Sequence, residues 1–201
     1  MVNEPFQRKL AAILAADIVG FSSLMERDEE GAYGRVGRLQ REVIEPRLFE
    51  QKGRLIKTTG DGFLVEFASP IAALRCAIAI QGDLSNDPDS LPIRIGLNLG
   101  DVIVEDSGDI YGEGVNVAAR LEALCDPGGI LISGKIHSEV EGKVDAAFED
   151  RGEQQVKNIS RPVRIYAVRV VGMPKTSVTT SSNEVKKPLQ LPDKRRSLVG
   201  T

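Results

Sequence analysis

Only two cysteines, Cys76 and Cys125, occur in 201 residues, and neither has a CxxC partner. That argues against a disulfide framework or a zinc site and for free core thiols in a reducing, cytoplasmic setting. No apolar run reaches the ~18 residues needed to cross a bilayer, so no membrane segment is expected. No G-x-x-x-x-G-K-[ST] run is present, which disfavours P-loop kinases and ATPases. The one histidine, His137, falls in a short polar segment and reads as a surface residue. Positive charge is slightly outnumbered, with 26 Lys and Arg against 29 Asp and Glu. The formal net charge is −3, and residues 171–201 carry +4, which leaves −7 on the rest. Nothing suggests a basic groove, so no nucleic-acid partner is expected. An acidic body that handles an anionic substrate needs a metal or local cations.

What is present reads as alternating strands and helices. Residues 8–17 form a strand that is apolar on both faces. Arg8-Lys9 followed by Leu10 to Ala16 also resembles a short signal peptide, but cleavage there would remove the strand. A helical region opens at Gly20-Phe-Ser-Ser, with Ser22 or Ser23 as N-cap. A longer helix runs from the acids Asp28, Glu29 and Glu30 to about Glu50, kinked or broken at Pro46 and ended by Gly53. Segments 54–58 and 63–67 make a hairpin. Ser69-Pro70 caps and starts the next helix. Strands are expected at 93–99, 130–132 and 163–170, with 102–104 as partner or continuation of the first. Helices are expected at 111–125 and 134–141. The class is α+β, with helices packed on a sheet. Residues 1–170 read as one domain. From Gly172 the chain is Ser/Thr/Pro/Lys-rich, so 171–201 reads as a disordered tail or linker.

Two aspartates stand where apolar strands end. Asp17 closes Leu10 to Ala16, and Asp61 sits in the turn Thr59-Gly60-Asp61-Gly62. In sequence, nothing nearby neutralises them. If the strands are neighbours, two carboxylates face each other at the sheet rim. Such hard oxygen ligands suit Mg²⁺ or Mn²⁺, and these metals serve phosphate chemistry. A nucleoside triphosphate is therefore the first substrate class to test. Singly, each aspartate could equally cap a helix or serve its turn. Lys57 lies in the same hairpin and can reach a base or a phosphate. Asn116 and Arg120 are four apart on one helix, so they project from one face and could orient a sugar and clamp a phosphate.

Together, Ala16-Asp17-Ile18-Val19-Gly20-Phe21-Ser22, Lys57-Thr58-Thr59-Gly60-Asp61-Gly62 and the segment Asp109 to Arg120 resemble the class III adenylyl and guanylyl cyclase catalytic domain, in its bacterial branch. The resemblance covers about residues 8–170. It implies a ferredoxin-like or palm-type mixed sheet. It also implies two Mg²⁺ or Mn²⁺ per active site, held by Asp17 and Asp61. Lys57 and Asp109 would read the base, Asn116 would orient the ribose, and Arg120 would stabilise the transition state. Lys157, in Val156-Lys157-Asn158-Ile159, resembles the family's triphosphate-binding lysine. The implied assembly is a head-to-tail homodimer with shared sites, in which Asn116 and Arg120 come from the other subunit.

Adenine offers an acceptor at N1 and a donor at its 6-amino group. Lys57 has only donors and an ionised Asp109 only accepts, so the pair matches adenine and opposes guanine. An unpaired buried polar group costs ~1–3 kcal/mol, enough for ten- to hundredfold discrimination. Guanylyl cyclases of this family usually carry a glutamate where Lys57 stands. The expected activity is an adenylate cyclase that makes 3′,5′-cyclic AMP and pyrophosphate from ATP. The alternatives are a catalytically silent nucleotide-binding regulatory domain and a guanylate cyclase. A diguanylate cyclase is disfavoured because no Gly-Gly-Asp-Glu-Phe run occurs. The basic tail could also lead to a downstream regulatory domain or partner.

Overall fold

The computed structural model describes residues 7–155, 159 and 161–169. Strand β1 (Gln7–Ile18) lies between β3 (Gly62–Phe67) and β4 (Ile93–Val104) and pairs antiparallel with both. That position explains its unbroken apolar run: Ala12, Leu14, Ala16 and Ile18 enter one core, and Ala11, Ile13 and Ala15 enter another. A strand buried on both faces has no reason to alternate. The signal-peptide resemblance thus falls on the middle of the sheet.

Helix α1 (Phe21–Arg27) follows. Its N-cap is Gly20, in the left-handed region with no side-chain cap, rather than Ser22 or Ser23, which lie inside the helix. Helix α2 (Glu29–Leu39) is capped by Asp28, which accepts from the Gly31 amide at 2.9 Å. The chain then widens into a π-helical turn, Gln40–Ile44, before α3 (Glu45–Glu50). Pro46 crowds the carbonyl four residues back, and the wider turn upstream relieves it without ending the helical run. Lys52 takes φ 55° while Gly53 donates to the Leu48 carbonyl at 2.8 Å, a Schellman-type stop. A Cβ at Gly53 would press on the Phe67 ring at 2.6 Å.

Next come β2 (Arg54–Thr59) and β3 (Gly62–Phe67). Helix α4 (Pro70–Asn86) follows, with Ser69 as its cap. The expected 93–99 strand continues through 102–104 as a single strand, β4 (Ile93–Val104). Then follow β5 (Ile110–Tyr111), α5 (Glu113–Leu124), β6 (Ile130–Ser133), α6 (Gly134–Val140), β7 (Ala147–Gln154) and β8 (Val163–Arg169). Tyr111 therefore belongs to a strand, not to the following helix. The sheet order is β2-β3-β1-β4-β6-β8-β7, with β5 added to β4. Among the described residues only β4 and β6 pair in parallel, across the α5 crossover, so the sheet is mixed. Residues 171–201, read as a disordered tail or linker, lie outside the described residues.

The two faces of the sheet are covered unequally. Helices α2, α3, α4 and α6 cover one face through a large core that includes Leu48, Leu74, Ile80 and Ile136. On the other face α5 packs through Val117, Ala118 and Leu121. Both cysteines are buried and free. His137 is not the exposed residue expected. Its ring stacks on Tyr166 at 3.9 Å and meets Phe148 edge-on at 4.9 Å.

Candidate active site

The carboxylate pair forms at one end of β1. Asp17 lies opposite Gly62 of β3 and Arg94 of β4. Asp61 occupies the hairpin turn, and its carbonyl accepts from the Ile18 amide at 3.2 Å. Gly62 fits where a Cβ would meet the Thr59 hydroxyl at 2.6 Å. The two side chains are close enough to influence each other. Burial pushes the Asp61 carboxyl up, and the charge and hydrogen-bonding capacity of Asp17 push it further. Two neighbouring carboxylates are hard oxygen donors that fit a divalent cation, which removes the repulsion between them. Among the described residues no group of three or more His, Cys, Asp or Glu is placed to hold a metal. The remaining ligands would have to be oxygens of the substrate, water or backbone.

Asp17 is not unneutralised. Arg94 Nη2 donates to Asp17 Oδ2 at 2.6 Å. Arg94 Nε lies 3.2 Å from Glu122 Oε1, but the pair is misaligned and neither atom completes a hydrogen bond. Burial raises the Glu122 carboxyl, the charge of Asp17 adds to that, and Arg94 partly offsets it. Sequence reasoning passed over both residues. Their signals were an arginine between Ile93 and Ile95 at a strand rim, and an acid in line with Gly114 and Ala118 on α5.

The base-reading candidates do meet. Lys57 Nζ donates to Asp109 Oδ1 at 3.0 Å and Oδ2 at 2.8 Å. The Ile110 amide donates to Oδ1 at 2.8 Å, and the Tyr111 hydroxyl to Oδ2 at 2.7 Å. Lys57 also sits 4.9 Å from the Tyr111 ring centroid. The Lys57 hydrogen bonds, then that of Tyr111, hold the Asp109 carboxyl below its ordinary range. A β-bulge between Leu55 and Lys57 brings Lys57 opposite Leu64. Strict alternation would put Lys57 on the Leu55 side, in the helix-covered core; the bulge turns it to the face that carries Asp17.

Helix α5 lies against β4 because glycines let it. A Cβ at Gly96 would overlap the Ala118 carbonyl oxygen and the Glu122 amide, and one at Gly100 would fall 2.8 Å from Gly114 Cα. Buried Asn98 donates to the Gly114 carbonyl at 3.0 Å and pins the first turn. With Gly114, Ala118 and Glu122 facing the sheet, Asn116 and Arg120 project outward and are exposed. The single chain therefore brings together Asp17 with Asp61, and Lys57 with Asp109. It turns Asn116 and Arg120 away from both pairs. Lys157 lies outside the described residues.

A model of the adenylate and guanylate cyclase catalytic domain matches residues 5–170. The chain is 51% identical over 172 residues to a protein named "Putative adenylate cyclase 3" from Rhizobium meliloti (strain 1021). That match takes in 83% of this chain but 29% of the relative, so the chain spans under a third of that protein's length. Among solved structures, an adenylate/guanylate cyclase/hydrolase from Silicibacter pomeroyi is 44% identical with TM-score 0.77, over 82% of this chain and 99% of that one. The adenylyl cyclase CyaB from P. aeruginosa is 28% identical with TM-score 0.74, over 82% and 95%. Among the described residues no helix is long and apolar enough to cross a membrane.

Proposed function

Because this chain belongs to the adenylate and guanylate cyclase catalytic-domain family, we propose that it converts ATP to 3′,5′-cyclic AMP and pyrophosphate. The observation that carries this reading is the paired Lys57 and Asp109, a donor beside an acceptor on the sheet face that also bears Asp17. The name of the Rhizobium relative supports it.

Three donor groups make four hydrogen bonds to Asp109 in the free protein. A base enters by taking Lys57 onto its N1 acceptor, which frees a lone pair of Asp109 for the 6-amino group. Adenine meets both demands; guanine presents a donor to Lys57 and an acceptor to Asp109. Asp17 and Asp61 would hold two Mg²⁺ or Mn²⁺, which when bound acidify the ribose 3′-hydroxyl and balance triphosphate charge. Arg94, which pairs with Asp17 here, would offer its guanidinium to a phosphate oxygen. The 3′-oxygen forms a bond to the α-phosphorus, the bond from that phosphorus to the β-bridging oxygen breaks, and the hydroxyl proton passes to solvent. Arg120 offsets the charge that develops on the phosphoryl oxygens, and Asn116 orients the ribose. The outward direction of both residues favours a head-to-tail dimer in which they serve the partner's carboxylates. Lys157 is assigned to the triphosphate.

Mixing Asp61→Ala with Arg120→Ala tests both activity and sharing. Each variant alone should be silent with ATP and Mn²⁺. Random re-pairing makes half the dimers hybrid, each with one of two sites intact, so about a quarter of wild-type activity should return. A mixture that stays silent after verified subunit exchange rejects the shared site. A wild-type protein that binds ATP without forming cyclic AMP favours the silent regulatory domain. One that turns over GTP in preference to ATP favours the guanylate cyclase.

A further inference from the structure

A buried acid outside this constellation holds two cations. Glu66 of β3 is 8% exposed. Its Oε1 pairs with Lys9 of β1. Its Oε2 accepts from Arg54 of β2 through Nε at 3.0 Å and Nη2 at 2.6 Å. One cation suffices to neutralise one carboxylate, and Lys9 already does so. The remaining guanidinium nitrogen of Arg54, Nη1, donates to the Gly108 carbonyl at 2.9 Å. Gly108 immediately precedes Asp109.

Apart from the bonds of Lys57 to the Asp109 carboxylate, the turn that Arg54 reaches is held by local bonds. Gly108 donates to the Glu105 carbonyl at 2.8 Å, Glu105 to the Asp109 carbonyl at 3.0 Å, and the Asp109 amide to the Ser107 hydroxyl at 3.3 Å. Such local bonds shape a turn without fixing where it sits on the sheet. Lys57 ties its last side chain to β2, and Arg54 ties its backbone there. The planar fork of Arg54 is clamped at one edge by a buried, ion-paired carboxylate, and its third nitrogen extends across to the turn.

We propose that Arg54, braced by buried Glu66, is a positioning residue that holds the 105–109 turn so that Asp109 meets both Lys57 and the base. The proposal rests on the base-reading role of Asp109 given above. Its bland competitor is that Arg54 only helps neutralise Glu66.

Three variants separate the two. Arg54→Leu removes the strut and leaves Glu66 with Lys9 alone. Arg54→Leu with Glu66→Leu removes the buried charge as well. Arg54→Lys keeps a cation on Glu66 but places all its donors on one nitrogen, so the fork is lost. The readouts are thermal stability, kcat and KM for ATP and GTP, binding of 3′-deoxy-ATP with Mn²⁺, and hydrogen exchange of residues 105–111. In all three variants, KM for ATP and the 3′-deoxy-ATP dissociation constant should rise about tenfold, with kcat within about threefold. The ATP-over-GTP preference should narrow by a similar factor, and the turn should exchange faster. The double variant, which has no buried charge left to neutralise, should still lack ATP affinity whatever its stability.

Wild-type ATP affinity and wild-type turn exchange in either Arg54→Lys or the double variant would overturn the proposal. An Asp109→Asn control distinguishes the underlying reading. If it leaves ATP preference unchanged, base reading by Asp109 fails, while turn exchange still decides whether Arg54 is a strut.

Discussion

On β1, Ala12, Leu14, Ala16 and Ile18 face one side of the sheet, and Ala11, Ile13, Ala15 and Asp17 face the other. On β4, Ile93, Ile95, Leu97 and Leu99 oppose Arg94, Gly96, Asn98 and Gly100 in the same way. The first face meets the helices of the large core and needs only volume and shape. The second meets α5 and carries the carboxylates, the arginine, the buried amide and the glycines. A step of one residue thus separates stability from chemistry, because a strand sends successive side chains to opposite faces. The core face tolerates apolar exchange of equal volume. The other face is specified atom by atom, since glycine is required where α5 touches and a charge needs its partner.

This contrast can be broken with neighbouring substitutions. Asp61→Ala should abolish cyclic AMP formation, at least about a hundredfold, with little change in melting temperature. Leu14→Ala, on the core face, should do the reverse: a loss of ~2–5 kcal/mol in denaturant unfolding with turnover per folded molecule retained. Equal damage to both properties by both variants would contradict the division of labour. Lys57→Glu should lower the ATP-over-GTP ratio of kcat/KM about ten- to a hundredfold, because it puts an acceptor against adenine N1. Gly96→Ala should cost about 1–3 kcal/mol of stability by pushing α5 off β4, and should weaken Asn98's hold on Gly114.

A smaller effect concerns acid. Burial alone would raise the Glu66 carboxyl, but hydrogen bonds from Lys9 and Arg54 outweigh it and leave the group below its ordinary range. Its folded form therefore contributes stability that is complete above the usual glutamate range and is lost as pH falls through the lowered value. Glu66→Gln should flatten that acid limb of the stability curve; an unchanged limb would show that other carboxylates set it. The smallest effect is expected at the thiols. Burial pushes Cys76 and Cys125 up to about 12. Neither should react with a thiol reagent at neutral pH until the chain unfolds.

Much of this was readable in advance, and the failures have physical causes. Ser69, Asp61 and the 54–67 hairpin could be placed because caps and turns are local events. Asn116 and Arg120 could be put on one face because helical spacing is regular. The capping of α1 was misplaced because a left-handed Gly20 did the work that Ser22 or Ser23 could have done. The ion pair of Asp17 with Arg94 was missed because its partners lie 77 residues apart and meet only through strand register. His137 looked like a surface residue because its polar helix gives no hint of Tyr166. Strand β7 carries a half-exposed, charged pattern that lacks the apolar signal of a strand.

By itself the sequence determined most of the element types, the two-faced burial of β1 and the family motifs, whose resemblance implies that Lys57 and Asp109 act together. These depend on residue chemistry and spacing along the chain. Tertiary structure decided which acids stand together, that Arg94 neutralises one of them, that a bulge turns Lys57 to the active face, and that Glu66 and Arg54 reach the Asp109 turn. Each of these follows from strand order and register, which are settled by long-range packing of the whole sheet.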